Sequence, residues 1–372
     1  MFNKSAKLTL NRLKYAAGTV AVLATSAVAS HAQVTPFIPN FTRTVTTVPA
    51  NGDVNPYGVA FVPAGFPVGS IRPGDILVSN FNNSQNLQGT GTTIMRITSG
   101  DYRSVTFFQG KAPLGLSTAL AAVTEGVVLV GNFPSVDGTC ATASAGSLLV
   151  ISNTGKLLTT LTNPLIEGPW DMAVNDEGNG TVQAFIANGL SGTIVRLDLH
   201  VTSTGASITK ATQIASGYGH QCDAAAFVDA PTGLVYDKTT GNLYVASTLD
   251  NQVYRIANAA NLTTDGGEGA IIYHDNAHLH GALAMAMAPN GDLMVSDNDI
   301  INAKTTAPSE ITEFTTSGQF VKQFPIDPAL GGSFGLNAQV GVGSGVPATT
   351  ARFAAVDDNT SSLTVWYTPN FN

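Results

Sequence analysis

The apolar positions of this chain fall in short runs broken by Gly, Pro, Asn, Asp and Ser, and the runs recur in one order six times. Each repeat begins with a Gly or Pro beside a small apolar run. A turn follows, then a strand ending in Asn, Asp or Ser, a third strand, a Gly-containing turn and a fourth strand. First strands are expected from Pro56-Tyr57-Gly58, Leu114-Gly115, Pro169-Trp170, Pro231-Thr232-Gly233, His280-Gly281 and Phe334-Gly335. Second strands are expected at Asp75–Asn80, Gly126–Asn132, Ala184–Asn188, Asn242–Ser247, Asp292–Asn298 and Arg352–Asn359. Third strands are expected at Thr93–Thr98, Ser147–Ser152, Thr193–Leu199, Gln252–Ile256, Glu310–Thr315 and Leu363–Tyr367. All are rich in Val, Ile, Leu, Phe and Tyr, as buried or half-buried strands should be. Gly241, Gly291, Gly155, Gly318 and Gly100 sit where tight hairpins need positive φ.

Four short antiparallel strands repeated about an axis describe an all-β, six-bladed β-propeller. A single blade cannot bury both of its faces, so neighbours must stack. The blades are expected at about residues 56–110, 114–163, 169–217, 231–275, 280–325 and 334–367. Five repeats supply their own fourth strand, at Ser104–Gln109, Lys156–Thr162, Thr212–Gly217, Ala270–His274 and Phe320–Phe324. The sixth runs out after Tyr367. The segment Phe41–Val48, alternating Thr with Val, is expected to pair as the missing outer strand and remove a bare edge.

The first residues stand outside this pattern. Lys4, Lys7, Arg12 and Lys14 precede an uncharged stretch from Ala16 to Ala29 and a small-x-small site at Ser30-His31-Ala32. Residues 1–32 therefore read as a signal peptide, with 33–372 a single exported domain, periplasmic or extracellular. No second long apolar run follows, so no membrane span is expected after cleavage. Losing four basic residues and no acidic ones takes the net charge from −8 to −12. Such a domain repels phosphate backbones, which argues against nucleic acid. It suits a cation, a sugar or a basic partner. Cys140 and Cys222 are the only cysteines, and in an exported chain they read as one disulfide.

Gly233-Leu-Val-Tyr-Asp237, Gly241-Asn-Leu-Tyr-Val-Ala-Ser247 and Gln252-Val-Tyr-Arg-Ile256 resemble an NHL repeat, and Ala286-Met-Ala-Pro-Asn-Gly-Asp-Leu-Met-Val-Ser-Asp297 is similar. The resemblance implies a fold, not an activity. Glu167-Gly168-Pro169-Trp170 is distantly similar to the Glu-Gly-Pro-x-Trp segment of gluconolactonase-like propellers, where the Glu is a calcium ligand. This chain departs from that pattern by one residue before Trp170, and has Thr232, Gly281 and Gly335 where the family's other ligands are expected.

In a four-stranded meander the fourth-to-first and second-to-third connections open on one face. The long insertions fall mostly there, at Phe81–Thr92, Phe133–Gly146, Tyr218–Ala230 and Asp299–Ser309. Long loops on one rim of a rigid scaffold are where binding usually sits. Candidate channel-mouth residues on that face are Asn80, Asn132, Glu167, Asp171, Asn188, Asp297, Asn298 and Asn359, whose oxygens suit Ca²⁺. His278-Leu279-His280 is expected to place two imidazoles on one side of a strand. With His220 or His274 they offer a three-histidine zinc site with an open fourth position. No nucleophile-elbow, His-Glu-x-x-His, phosphate-loop or Rossmann pattern is present. The first functional expectation is a binding or scaffold protein holding a protein, glycan or small molecule on its long-loop face. The alternative is a calcium- or zinc-dependent hydrolase, lactonase or lyase with its site at the central channel.

Overall fold

The computed structural model describes residues 35–340 and 351–368. The expected leader, residues 1–32, lies outside them. Apart from two three-residue helical turns, Cys140–Thr142 and Ala259–Asn261, the regular elements described are strands. They form six four-stranded antiparallel sheets and one small hairpin. Each of the first five sheets is a meander in chain order. The innermost strands are Val54–Phe61, Leu116–Val123, Pro169–Asp176, Pro231–Asp237, Ala282–Met287 and Ser333–Val340. The sixth sheet takes its outer strand from the other end of the chain. Phe41–Thr46 pairs antiparallel with Ser362–Tyr367, from Phe41 opposite Tyr367 to Thr46 opposite Ser362. The all-β, six-bladed propeller with an N-terminal closing strand is thus the observed architecture.

Burial explains the composition of each strand. Second and third strands lie between neighbouring blades, and Ile76–Asn82, Val127–Asn132 and Ser147–Ser152 are buried throughout. Residues covered on both faces read as continuous apolar runs. The closing strand Phe41–Thr46 is mostly exposed and mostly polar, which suits an edge.

Small polar side chains stitch one blade to the next near the axis. Ser79 Oγ donates to Ser117 O (2.8 Å), and Ser117 Oγ to Pro169 O (2.6 Å). Asp171 Oδ2 accepts Leu234 N (2.7 Å), Thr248 Oγ1 donates to Ala282 O (2.9 Å), Ser333 Oγ to Glu310 O (2.9 Å), and Asn337 Nδ2 to Val59 O (3.0 Å). These bonds join all six blades in a ring and satisfy main-chain groups that no strand partner reaches. The glycines that open the first strands have the same cause. A Cβ at Gly335 would strike the Tyr57 carbonyl, and one at Gly233 the Leu283 carbonyl, so only Gly admits the next blade at this distance.

Three details differ from the sequence expectation. The blade-three outer hairpin runs over Thr193–Thr202 and Gly205–Ser216, longer than the expected Thr193–Leu199 and Thr212–Gly217, because Thr and Ser continue the alternation past the buried part. Gly155, Gly241, Gly291 and Gly318 have positive φ, but at Ser99-Gly100 the left-handed residue is Tyr102 (φ 52°). The insertion Tyr218–Ala230 is not an open loop: Gln221–Asp223 pairs with Phe227–Asp229 as a hairpin.

Candidate functional site

The two ends of the central axis are built differently. On the long-loop face the axis is filled. Tyr57 stacks between Phe81 (4.7 Å between centroids) and Phe334 (4.6 Å). Trp170 meets Phe81 edge-on at 5.4 Å and is fully buried. Phe227, from the hairpin, sits edge-on to Phe81 (5.1 Å) and Phe133 (5.2 Å). Phe227 adopts φ 68°. For a bulky side chain that costs about 1–3 kcal/mol, which the surrounding ring contacts offset.

The hairpin carrying Phe227 is pinned from outside. Cys222 is bonded to Cys140 of the blade-two loop, with Cα atoms 5.5 Å apart. Gln88 Nε2 reaches the Ala225 carbonyl at 3.3 Å. Asp223 Oδ1 accepts Ala225 N (2.7 Å) and Ala226 N (2.9 Å), which folds the tip.

The opposite end is open. A well of about 290 Å³ is lined by the second halves of all six inner strands, among them Ala60, Ala121, Ala173, Val235, Ala286 and Ala338. It leads to a chamber of about 50 Å³ walled by Thr118, Asp171, Leu234, Met285 and Asn337. Asp171 is the carboxylate of this chamber, and burial pushes it up to about 7 against the pull of the Leu234 and Met172 N–H groups.

Beside the plug, on the long-loop face, lies a pocket of about 310 Å³. Ala225 and Ala226 of the hairpin tip form one wall; Asn298, Asp299, Ile300, Leu330, Gly331, Phe334 and Asp358 complete it. Asn55, its amide turned so that Nδ2 faces Asp358, donates to that carboxylate and accepts from Asn82 Nδ2 (2.9 Å). Burial, with Asp357 alongside, pushes Asp358 up to about 7. Among the described residues no ion pair within 4 Å reaches Asp299 or Asp358.

The sequence-derived residues divide between these places. Asn80, Asn132, Asn188 and Asp297 end the second strands and share one role inside the blades. Asn132 Oδ1 accepts Gly115 N, Asn188 Oδ1 accepts Glu167 N and Asp297 Oδ1 accepts His280 N, at 3.0, 3.0 and 2.9 Å. Asn80, Asn132 and Asn188 donate to Thr93, Ser147 and Thr193 hydroxyls, and Asp297 accepts from Thr312. Each clasps the start of a first or third strand. Glu167 is exposed and touches this network only through its main chain. Asp171 belongs to the chamber under the plug, and Asn298 to the pocket. Asn359 is exposed and donates to Asp327 Oδ1 and Leu330 O, both at 3.1 Å.

The histidines do not share a strand. His278 and His280 lie in the turns before the first strand of blade five, which begins at Ala282, so alternation does not set their side chains. His278 Nδ1 contacts Asp275 Oδ2 at 2.5 Å and its ring stacks on Phe320 at 3.8 Å. His280 Nδ1 contacts the Asn302 carbonyl (2.7 Å), and exposed His220 that of Tyr218 (3.1 Å). Among the described residues no group of three or more His, Cys, Asp or Glu is placed to hold a metal ion. None of their helices is long and apolar enough to cross a membrane. The plug, the hairpin and the Asp299–Asp358 pocket were not anticipated. Asp358 directly follows the second strand of blade six, Ala351–Asp357, and nothing local in the sequence marks it as lining a pocket.

No family model matches the sequence, and no curated protein matches it. Among solved structures the chain is similar to virginiamycin B lyase from Staphylococcus aureus, crystallised with quinupristin: 13% identity, 88% of this chain and 100% of that one, TM-score 0.48. It is also similar to the calcium-binding protein regucalcin from Agrobacterium tumefaciens (12%, 86% and 92%, 0.49) and to a chain of a nidogen–laminin complex (15%, 77% and 88%, 0.43). No residue role passes from these proteins to this chain.

Proposed function

We propose that this chain is an exported, NHL-like propeller that binds a small molecule bearing a protonated amine on its long-loop face, in the pocket between the hairpin tip and blades five and six. One observation carries the reading. The pocket joins an apolar wall (Ala225, Ala226, Ile300, Leu330, Phe334) to the Asp358 carboxylate, and no ion pair among the described residues neutralises that charge. Its volume of about 310 Å³ lies at the small end of ligand sites. An ammonium group at Asp358 gains a charge-assisted bond away from bulk water, and the acidic domain attracts such ligands. The disulfide suits an oxidising compartment and fixes the wall that the hairpin supplies. A channel-mouth hydrolase is less well supported. The long-loop end of the channel is filled by side chains, and His220, His278 and His280 are committed to separate partners.

The test is calorimetric titration with primary amines, benzylamine first, against alcohols of the same shape. Benzylamine should bind and benzyl alcohol should not. Asp358→Asn should weaken the amine about 10- to 100-fold. Because Asp358 titrates at about 7, binding should weaken about tenfold between pH 8 and pH 6 as the carboxylate takes up its proton. Equal binding of alcohol and amine, or an Asp358→Asn variant with unchanged affinity, would overturn the reading.

A further inference from the structure

Beneath the pocket, two carboxylates lie together with oxygens that nothing in the fold uses. Asp299 begins the long blade-five loop, and Glu310 begins the third strand to which that loop returns. Glu310 is 1% exposed and both of its carboxylate oxygens are buried with no hydrogen-bond partner. Asp299 is 7% exposed; its Oδ2 accepts Ser309 N (2.8 Å) and Gly331 N (3.1 Å), while Oδ1 is buried with no partner. Burial first, and then the nearby Asp299 charge, push the Glu310 carboxyl up, with Lys304 pulling only slightly the other way. No ion pair within 4 Å joins either to a cation among the described residues.

Buried carboxylates left in this state cost several kcal/mol each. The orphaned carboxylate atoms, Asp299 Oδ1 and Glu310 Oε1 and Oε2, are acceptors when ionised, so a hard cation satisfies all of them at once. We propose that Asp299 and Glu310 form a calcium site that ties the 299–309 loop to blade five. Glu310 supplies a carboxylate able to bind through both oxygens and Asp299 a single oxygen. Ca²⁺ takes six to eight oxygen ligands, so carbonyls and water complete the shell. The site differs from the channel-mouth set expected from sequence: Asp297, next to it, is spent on His280 N and Thr312 Oγ1. It does not depend on the amine-binding reading, because Asp358 is not one of its ligands.

The experiment uses the mature, disulfide-bonded protein stripped with EDTA and then dialysed. Equilibrium dialysis with ⁴⁵Ca should find one site per chain, with a dissociation constant of about 10⁻⁴–10⁻³ M, as in extracellular modules. Calcium at 10 mM should raise the melting temperature by about 2–5 °C, and magnesium by less. Glu310→Gln, nearly the same shape, should abolish both the binding and the shift, whereas Asp358→Asn should keep both. No bound calcium in the wild-type protein would overturn the proposal, as would calcium binding retained by Glu310→Gln. A melting temperature that ignores calcium but rises on acidification would also overturn it, pointing to carboxyls that share a proton. Loss of amine binding with calcium binding intact would fail the ligand reading alone.

Discussion

The same six inner strands make both ends of the central axis, yet one end is solid and the other hollow. The cause lies in what each strand carries along its length. Where the strands begin stand Tyr57, Trp170, Leu283 and Phe334; a turn of alternation later stand Ala60, Ala173, Ala286 and Ala338. Large rings meet across the axis and exclude water, while methyl groups at the same radius leave a well of about 290 Å³. The solid end also takes one aromatic ring from outside the blade pattern, Phe227, brought over the axis by a disulfide-pinned hairpin. A ring of sheets therefore does not by itself create a binding mouth. Side-chain size decides which end is open, and on the long-loop face binding moves off the axis to the pocket beside the plug.

The sharpest way to break this contrast is to remove the stopper. Phe227→Ala should lower stability by about 3–5 kcal/mol through lost burial and the cavity left behind. It should also change the emission of Trp170, which is fully buried and 6.2 Å from the Phe227 ring. Denaturant titration with fluorescence checks both; unchanged stability would mean that the blades alone fill the axis. Removing the pin should have a smaller effect. Cys222→Ser opens a closed stretch of 82 residues, worth at most about 4–5 kcal/mol in the loop-entropy model and here expected at about 2–4 kcal/mol. Because Cys140 and Cys222 anchor the hairpin that walls the pocket, amine affinity should fall in the same variant.

The open end and the plug were unequally legible in the sequence. The six repeats, the closing strand and the Cys140–Cys222 bond each follow from local patterns, namely alternation, turn glycines and a lone pair of cysteines. The plug does not, because Tyr57, Phe81, Phe133, Trp170, Phe227 and Phe334 meet only after the ring closes. The hairpin strands Gln221–Asp223 and Phe227–Asp229 are three residues each, too short for any period to show. Asn80, Asn132, Asn188 and Asp297 were recognised by position, yet position does not tell a side chain facing a ligand from one holding a strand. Asn132, Asn188 and Asp297 are spent on N–H and hydroxyl groups at the strand starts, and Asn80 Nδ2 on the Thr93 hydroxyl and the Thr47 carbonyl. From sequence, Asp171 belongs to the long-loop mouth because it follows the start of a first strand. One residue past Trp170, it falls on the other side of the plug.

That position yields the mildest perturbation. Asp171 is a buried carboxyl whose native pKa, about 7, lies above the ordinary value of 3.8. Between those values the folded protein holds a proton that the unfolded chain has lost, so this group's contribution to stability is full below about pH 4. It declines as pH rises and is gone above about 7. Asp171→Asn keeps an oxygen for Leu234 N and removes the titration. Relative to wild type, the variant should gain stability steadily from pH 4 to pH 7, reaching about 1–2 kcal/mol at pH 8, less than the full linkage value because a charged acceptor also binds Leu234 N more strongly. Denaturant midpoints measured every half pH unit would show it. A difference that is flat with pH would mean that water in the well reaches Asp171 and keeps it ionised, and the chamber under the plug would then be as wet as the mouth.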